Sequence, residues 1–128
     1  MPINKLFGGN IEVMRQALDL RGKRQGLIQS NIANMETPGY TVQEIPFAKV
    51  MQRVVSGQGE LARTNSRHIA LDPVASADSR EFSGEARPVD IDEEMLKLSE
   101  NQLMYQIATR LIGKKFEGLK YAIDEGGK

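Results

Sequence analysis

The chain contains no cysteine and no tryptophan, one histidine and only 5% aromatic residues, and its 17 basic side chains are matched by 17 acidic ones. Without cysteine there is neither a disulfide framework nor a thiolate metal site. That composition also suits a chain exported into an oxidising compartment. A net charge of zero argues against a general polyanion binder, which carries a basic excess. So few aromatics are thin for a compact core or a base-stacking surface. No run approaches the ~20 consecutive apolar residues of a membrane span. Residues 1–10, with one lysine and no apolar run, do not read as a secretory signal, so any export uses a route that ignores one. What is present is 40% hydrophobic residues in 128, enough for a partial core in one domain or one domain with extended arms.

Catalytic constellations are missing as well. His68 stands in Thr64-Asn65-Ser66-Arg67-His68 with no second His or Cys to complete a metal site or nucleophile pair. Asp90, Asp92, Glu93 and Glu94 lack the glycine and alternating ligands of a calcium loop, so they read as the acidic start of a helix. Gly57-Gln58-Gly59 does not continue into a phosphate-binding loop. The chain therefore reads as a non-enzyme with no cofactor, no metal and no small-molecule substrate. Residues 1–29 hold five basic against two acidic side chains. Arg21 and Arg24 nevertheless fall within apolar stripes, where pairing with another helix competes with phosphate contact, and the acidic start of the last helix supplies partner charge. Nucleic acid is not an expected partner.

Hydrophobic periodicity organises the rest. From about Asn10 to Asn34, Ile11, Met14, Leu18, Ile28 and Ile32 follow helical spacing, beside a second stripe of Val13, Ala17, Leu20 and Leu27. Arg21, Arg24, Gln25 and Asn31 interrupt this wide apolar face, more polar insertions than a monomeric core readily accepts. Pro38-Gly39 fits the centre of a type II turn and ends the helix. An extended piece, Tyr40 to Ile45, leads to a short helix after Pro46 with Phe47, Val50, Met51 and Val54 on one face. Residues 56–88, with Gly57, Gly59, Gly84, five serines and two prolines, read as a long, loop-rich connection with extended pieces.

The last helix gives the strongest pattern. Asp90 suits an N-cap, with Glu93 at capping-box spacing. From Ile91 to Ile123 a row alternates by four and three, including Met95, Leu98, Gln102, Tyr105, Thr109, Ile112, Phe116 and Leu119, which predicts a coiled-coil seam. Leu96, Leu103, Ile107 and Leu111 form a second stripe, and Lys114, Lys115 and Lys120 suit the negative end of the helix dipole. Such a helix is ~50 Å long, whereas a compact chain of this size is only roughly 35–40 Å across. The N-terminal helix, at ~37 Å, covers one side of it. The second stripe is left for another chain.

One segment is unusual. Ser30, Asn31, Ile32, Ala33 and Asn34 place three poor helix formers in the last turns of a helix, where amide side chains can fix register, and Thr37-Pro38-Gly39-Tyr40 follows. Together these residues resemble the signature of the flagellar basal-body rod and hook proteins, and the C-terminal heptad helix resembles that family's second hallmark. The distal members carry large inserted domains for which 128 residues leave no room. Val89-Asp90-Ile91-Asp92 and Asn101-Gln102-Leu103-Met104-Tyr105-Gln106 resemble a short proximal rod member.

The resemblance implies a mainly α, elongated subunit completed by assembly. Its N-terminal helix and turn motif (1–39) and C-terminal helix (89–128) pair as an antiparallel coiled coil in an inner tube, with the middle segment (40–88) outside. It implies a structural protein of the periplasmic rod, exported by the flagellar type III apparatus and stacked helically around the export channel to transmit torque. Its implied partners are other rod subunits, the hook–basal-body adaptor protein and the export gate at the rod base. A competing reading, a cytosolic adaptor or regulator dimerising through its C-terminal helix, explains the seam but not the Asn-rich helix end.

Overall fold

In the computed structural model, which describes residues 3–56, 74 and 86–127, helix α1 runs Ile3–Ala33, starting well ahead of Asn10. The weak apolar periodicity around Gly8-Gly9 hides a backbone that stays helical. At its other end Asn34 N–H donates to Ser30 C=O at 3.0 Å and Asn34 Nδ2 to the same oxygen at 2.8 Å. Thr37 N–H donates to Asn34 C=O, and Tyr40 N–H to Thr37 C=O at 3.1 Å. Gly39 has φ +76°, the left-handed angle that the third position of a type II turn requires.

The chain then runs extended, and Val42 N–H donates to Arg87 C=O at 3.0 Å. Helix α2, Phe47–Ser56, opens with Val50 N–H on Pro46 C=O. Its apolar face packs as the spacing indicates. Val50 is fully buried with Leu20, Ile45 and Val74, and Leu27, Phe47, Met51 and Val54 close around them. The Arg21 guanidinium lies 3.6 Å above the Phe47 ring, a cation–π contact at the edge of this core. Of residues 56–88, the structure describes Ser56, Val74 and 86–88; His68 and the expected loop-rich stretch around it lie outside the described residues.

Helix α3, Ile91–Gly126, is the longest element, ~54 Å at about 1.5 Å per residue. Asp90 caps it, its Oδ1 accepting from Asp92 N–H at 3.0 Å and Glu93 N–H at 3.3 Å. The capping box is only half formed. Glu93 does not reach back to the cap but takes Arg87 through two hydrogen bonds of 2.7 and 2.8 Å. α1 packs against α3 antiparallel, with Asn31 beside Glu94 and Arg21 beside Asn101. The protein is mainly α: three helices and no strand among the described residues, none of the helices long and apolar enough to cross a membrane.

Candidate functional site

Asn31, in the last turn of α1, is buried, and its amide uses its whole hydrogen-bonding capacity. Nδ2 donates to Gln43 C=O at 2.8 Å and to Glu94 Oε2 at 3.0 Å. Oδ1 accepts from Gln43 N–H at 2.9 Å and from the Tyr40 hydroxyl at 3.0 Å. One side chain thus pins the helix end, the extended segment after the turn and α3 to one another. Asn34, three residues on, does a local job: it closes the helix end on Ser30 and accepts from Thr37 Oγ1 at 3.4 Å.

Glu94 is buried to 1% exposure, a position a carboxylate tolerates only when paired. Besides Asn31 it accepts from Lys97 Nζ at 3.2 Å, and Lys97 also reaches Glu93 at 2.8 Å and Glu44 at 3.3 Å. Arg24 meets the other oxygen of Glu44 at 3.5 Å. Burial pulls the Lys97 ammonium down, but Glu93, Glu44 and Glu94 outweigh it and hold its pKa above the ordinary lysine value. Hydrogen bonds from Arg87 and Lys97 hold the Glu93 carboxyl at about 2. Asn101, two helical turns beyond Glu94, is also buried: Nδ2 donates to Arg21 C=O and to Gln25 Oε1, each at 2.9 Å. Arg21 itself is pulled below the usual arginine value by burial and then by Arg24.

This junction decides which side of α3 faces α1. Within the chain, the row that turns inward follows Glu94, Leu98, Asn101, Ala108, Ile112, Lys115 and Leu119, all buried or half-buried. It shares Leu98, Ile112 and Leu119 with the expected seam. Met95, Gln102, Tyr105, Thr109 and Phe116 of that seam are exposed. The difference is a rotation of the helix toward Glu94 and Asn101, which bond Asn31, Arg21 and Gln25 of α1. Of the turn motif, Asn31 is buried, Ile32, Asn34 and Tyr40 are half-buried, and Ser30, Ala33, Thr37, Pro38 and Gly39 lie at the surface. Glu44 and Lys97 escaped the sequence reading, and Glu94 and Asn101 entered it only as part of an acidic helix start and of the rod-like C-terminal motif. The polar interruptions Arg21, Gln25 and Asn31 were the signal that complementary polar groups waited on another helix.

Rotation leaves α3 with two apolar flanks. At 3.6 residues per turn, Ile91, Met95 and Phe116 lie on one side of the helix, and Leu96, Leu103, Met104, Ile107 and Leu111 on the opposite side. All are exposed, Leu96, Leu103 and Leu111 by half or more. Between the flanks, facing away from α1, runs a polar edge that includes Asp92, Ser99, Gln106 and Glu117. Where the first flank meets α1, Gly22, Gln25, Asn101, Gln102, Tyr105 and Gln106 line an open groove of about 530 Å³. A lone chain gains nothing from such faces; each exposed leucine or phenylalanine contributes on the order of 1–2 kcal/mol once covered.

No family model matches the chain. Curated proteins do. It is 31% identical over 137 residues to the "Flagellar basal body rod protein FlgB" of Yersinia enterocolitica, covering 97% of this chain and 99% of that protein. It is 32% identical to the protein of that name from Bacillus subtilis (strain 168), covering 96% and 98%. With the one from Cereibacter sphaeroides (strain ATCC 17029 / ATH 2.4.9) the identity is 34%, over 91% and 95%.

Proposed function

The chain belongs to the FlgB family of flagellar basal body rod proteins, and from that premise we propose that it is a structural subunit of the proximal rod, assembling with other rod components in the basal body. The observation that carries the reading is the pair of apolar flanks on opposite sides of α3, which nothing among the described residues covers. A helix with a satisfied inner face and two apolar flanks is completed by a neighbour on each side. Contacts of that kind are heterologous and repeat into a ring or helix rather than closing as a pair.

In this proposal α1 and α3 form an antiparallel coiled coil, and neighbouring copies of α3 stand side by side in the wall of a tube. Their polar edges face the export channel, because a passage for unfolded chains needs a surface that does not bind apolar segments. Torque passes through the wall as rigid helix-on-helix contact. Export by the flagellar type III apparatus suits a chain with no cysteine. The adaptor protein at the hook–basal-body base and the export gate are the neighbours proposed below, and other rod subunits those above. A structural role is also consistent with relatives named as rod proteins.

Quantitative detection of the chain in detergent-purified basal bodies and in soluble cytosol tests this. A few copies per basal body, lost when the export apparatus is deleted, is the expected result. A chain confined to the cytosol would sink the proposal and favour a helical adaptor.

A further inference from the structure

The second flank of α3 holds a symmetry of its own. Leu96, Glu100, Leu103, Ile107, Arg110 and Lys114 follow one another at four-and-three spacing along a single exposed face. Reversed about position 105, the row meets itself: Glu100 falls opposite Arg110, Leu103 opposite Ile107, and Leu96 against the methylene stem of Lys114. None of these three charged groups enters an ion pair among the described residues. A parallel, in-register pair instead sets Glu100 on Glu100 and Arg110 on Arg110, like charges that oppose association. We infer that the partner fitted to this flank in solution is a second copy of this chain, running antiparallel, in a two-fold dimer centred on residue 105.

The pair covers Leu103 and Ile107 with each other and leaves the α1 contact untouched, since the row lies on the far side of α3 from Glu94 and Asn101. Two symmetric Glu100–Arg110 pairs within the row fix direction and register, as polar positions in a seam do at some cost in stability. The pairing stands apart from the rod reading. Only its consequence rests on that reading: the dimer occupies a flank that stacking subunits need, so it holds subunits in reserve and must part before they assemble.

Sedimentation velocity on the full chain, from low micromolar to several hundred micromolar, tests the pairing. The expected result is a monomer–dimer equilibrium that weakens as salt rises. Glu100→Arg or Arg110→Glu alone weakens dimerisation about tenfold or more, and the double exchange Glu100→Arg/Arg110→Glu restores it. Unchanged helix content by circular dichroism shows that the single variants still fold; should one not fold, Arg110→Gln replaces it. A chain that stays monomeric throughout, single reversals without effect, or a double exchange that does not recover each overturns the inference. Basal-body incorporation is scored separately, so a monomeric chain found in basal bodies defeats the dimer and leaves the rod reading standing, and a dimer absent from basal bodies does the reverse.

Discussion

Between Asp90 and Asn101, helix α3 turns one set of polar side chains to its own chain: Asp90 to the helix start, Glu93 to Arg87, Glu94 to Asn31, Lys97 to three carboxylates and Asn101 to α1. From Gln102 to Gly126 the side-chain hydrogen bond described is a local one, Thr109 Oγ1 to Tyr105 C=O at 2.8 Å, and the large apolar residues stand in solvent. One continuous helix is thus finished at one end and open along the other. Burying polar groups is tolerable only where every partner is fixed in advance, so the junction must be built within the chain. Apolar flanks need no fixed partner atoms and can wait for another molecule. The two stretches should answer mutation differently.

The largest effect is expected at the junction. Asn31→Ala strands the Gln43 backbone, the Tyr40 hydroxyl and, most seriously, one oxygen of buried Glu94. Leaving such groups unpaired costs about 3 kcal/mol, read as a lower midpoint in urea denaturation followed by circular dichroism. Loss of less than about 1 kcal/mol would mean that water replaces the amide and that the junction is not closed. Gly39→Val comes next. Open space surrounds the Cβ position, so the penalty is one of backbone angle alone, about 1–2 kcal/mol for a β-branched residue at φ +76°. Because the turn aims Tyr40 at Asn31, assembly into basal bodies is expected to fail more completely than folding does.

These two positions also show how far the sequence could be read. Pro38-Gly39 declares its turn within four residues, Asp90 declares a cap, and the α2 stripe declares its buried face, because each rests on neighbours in the chain. The inward row of α3 is another matter. Leu98, Ile112 and Leu119 fit a heptad with either Met95, Gln102, Thr109 and Phe116 or Glu94, Asn101, Ala108 and Lys115. Counting apolar residues favours the first set. The second meets α1 because Glu94 and Asn101 find Asn31 and Arg21, sixty to eighty residues away. No local pattern encodes that match. Glu93 likewise fits a capping box by spacing, yet a nearby arginine outcompetes the cap.

A smaller effect is expected from acid at the rim of the junction. Glu93 has a pKa of about 2 in the folded chain against an ordinary 4.5, so its bonds to Arg87 and Lys97 contribute fully above pH 4.5. That contribution fades as pH falls toward 2, because the unfolded chain binds the proton first. Glu93→Gln should flatten the fall in stability across this window, and added salt should mimic part of the substitution, since the pair faces solvent. An acid titration with the same slope in the variant would assign the acid sensitivity to other carboxylates.

The smallest effect on the isolated chain sharpens the comparison most. Phe116 is 53% exposed on the open flank, so Phe116→Ala should change urea stability by no more than about 0.5 kcal/mol. Its ring is nonetheless among the largest apolar surfaces that flank presents, and covering it in an assembly contributes on the order of 1–2 kcal/mol per subunit interface. A repeated structure applies that loss at every contact, so basal-body incorporation and swarming should fall sharply while the monomer stays intact. The opposite pattern, a destabilised monomer with normal swarming, would place Phe116 in the chain's own packing and erase the division of α3 into a finished and an open stretch.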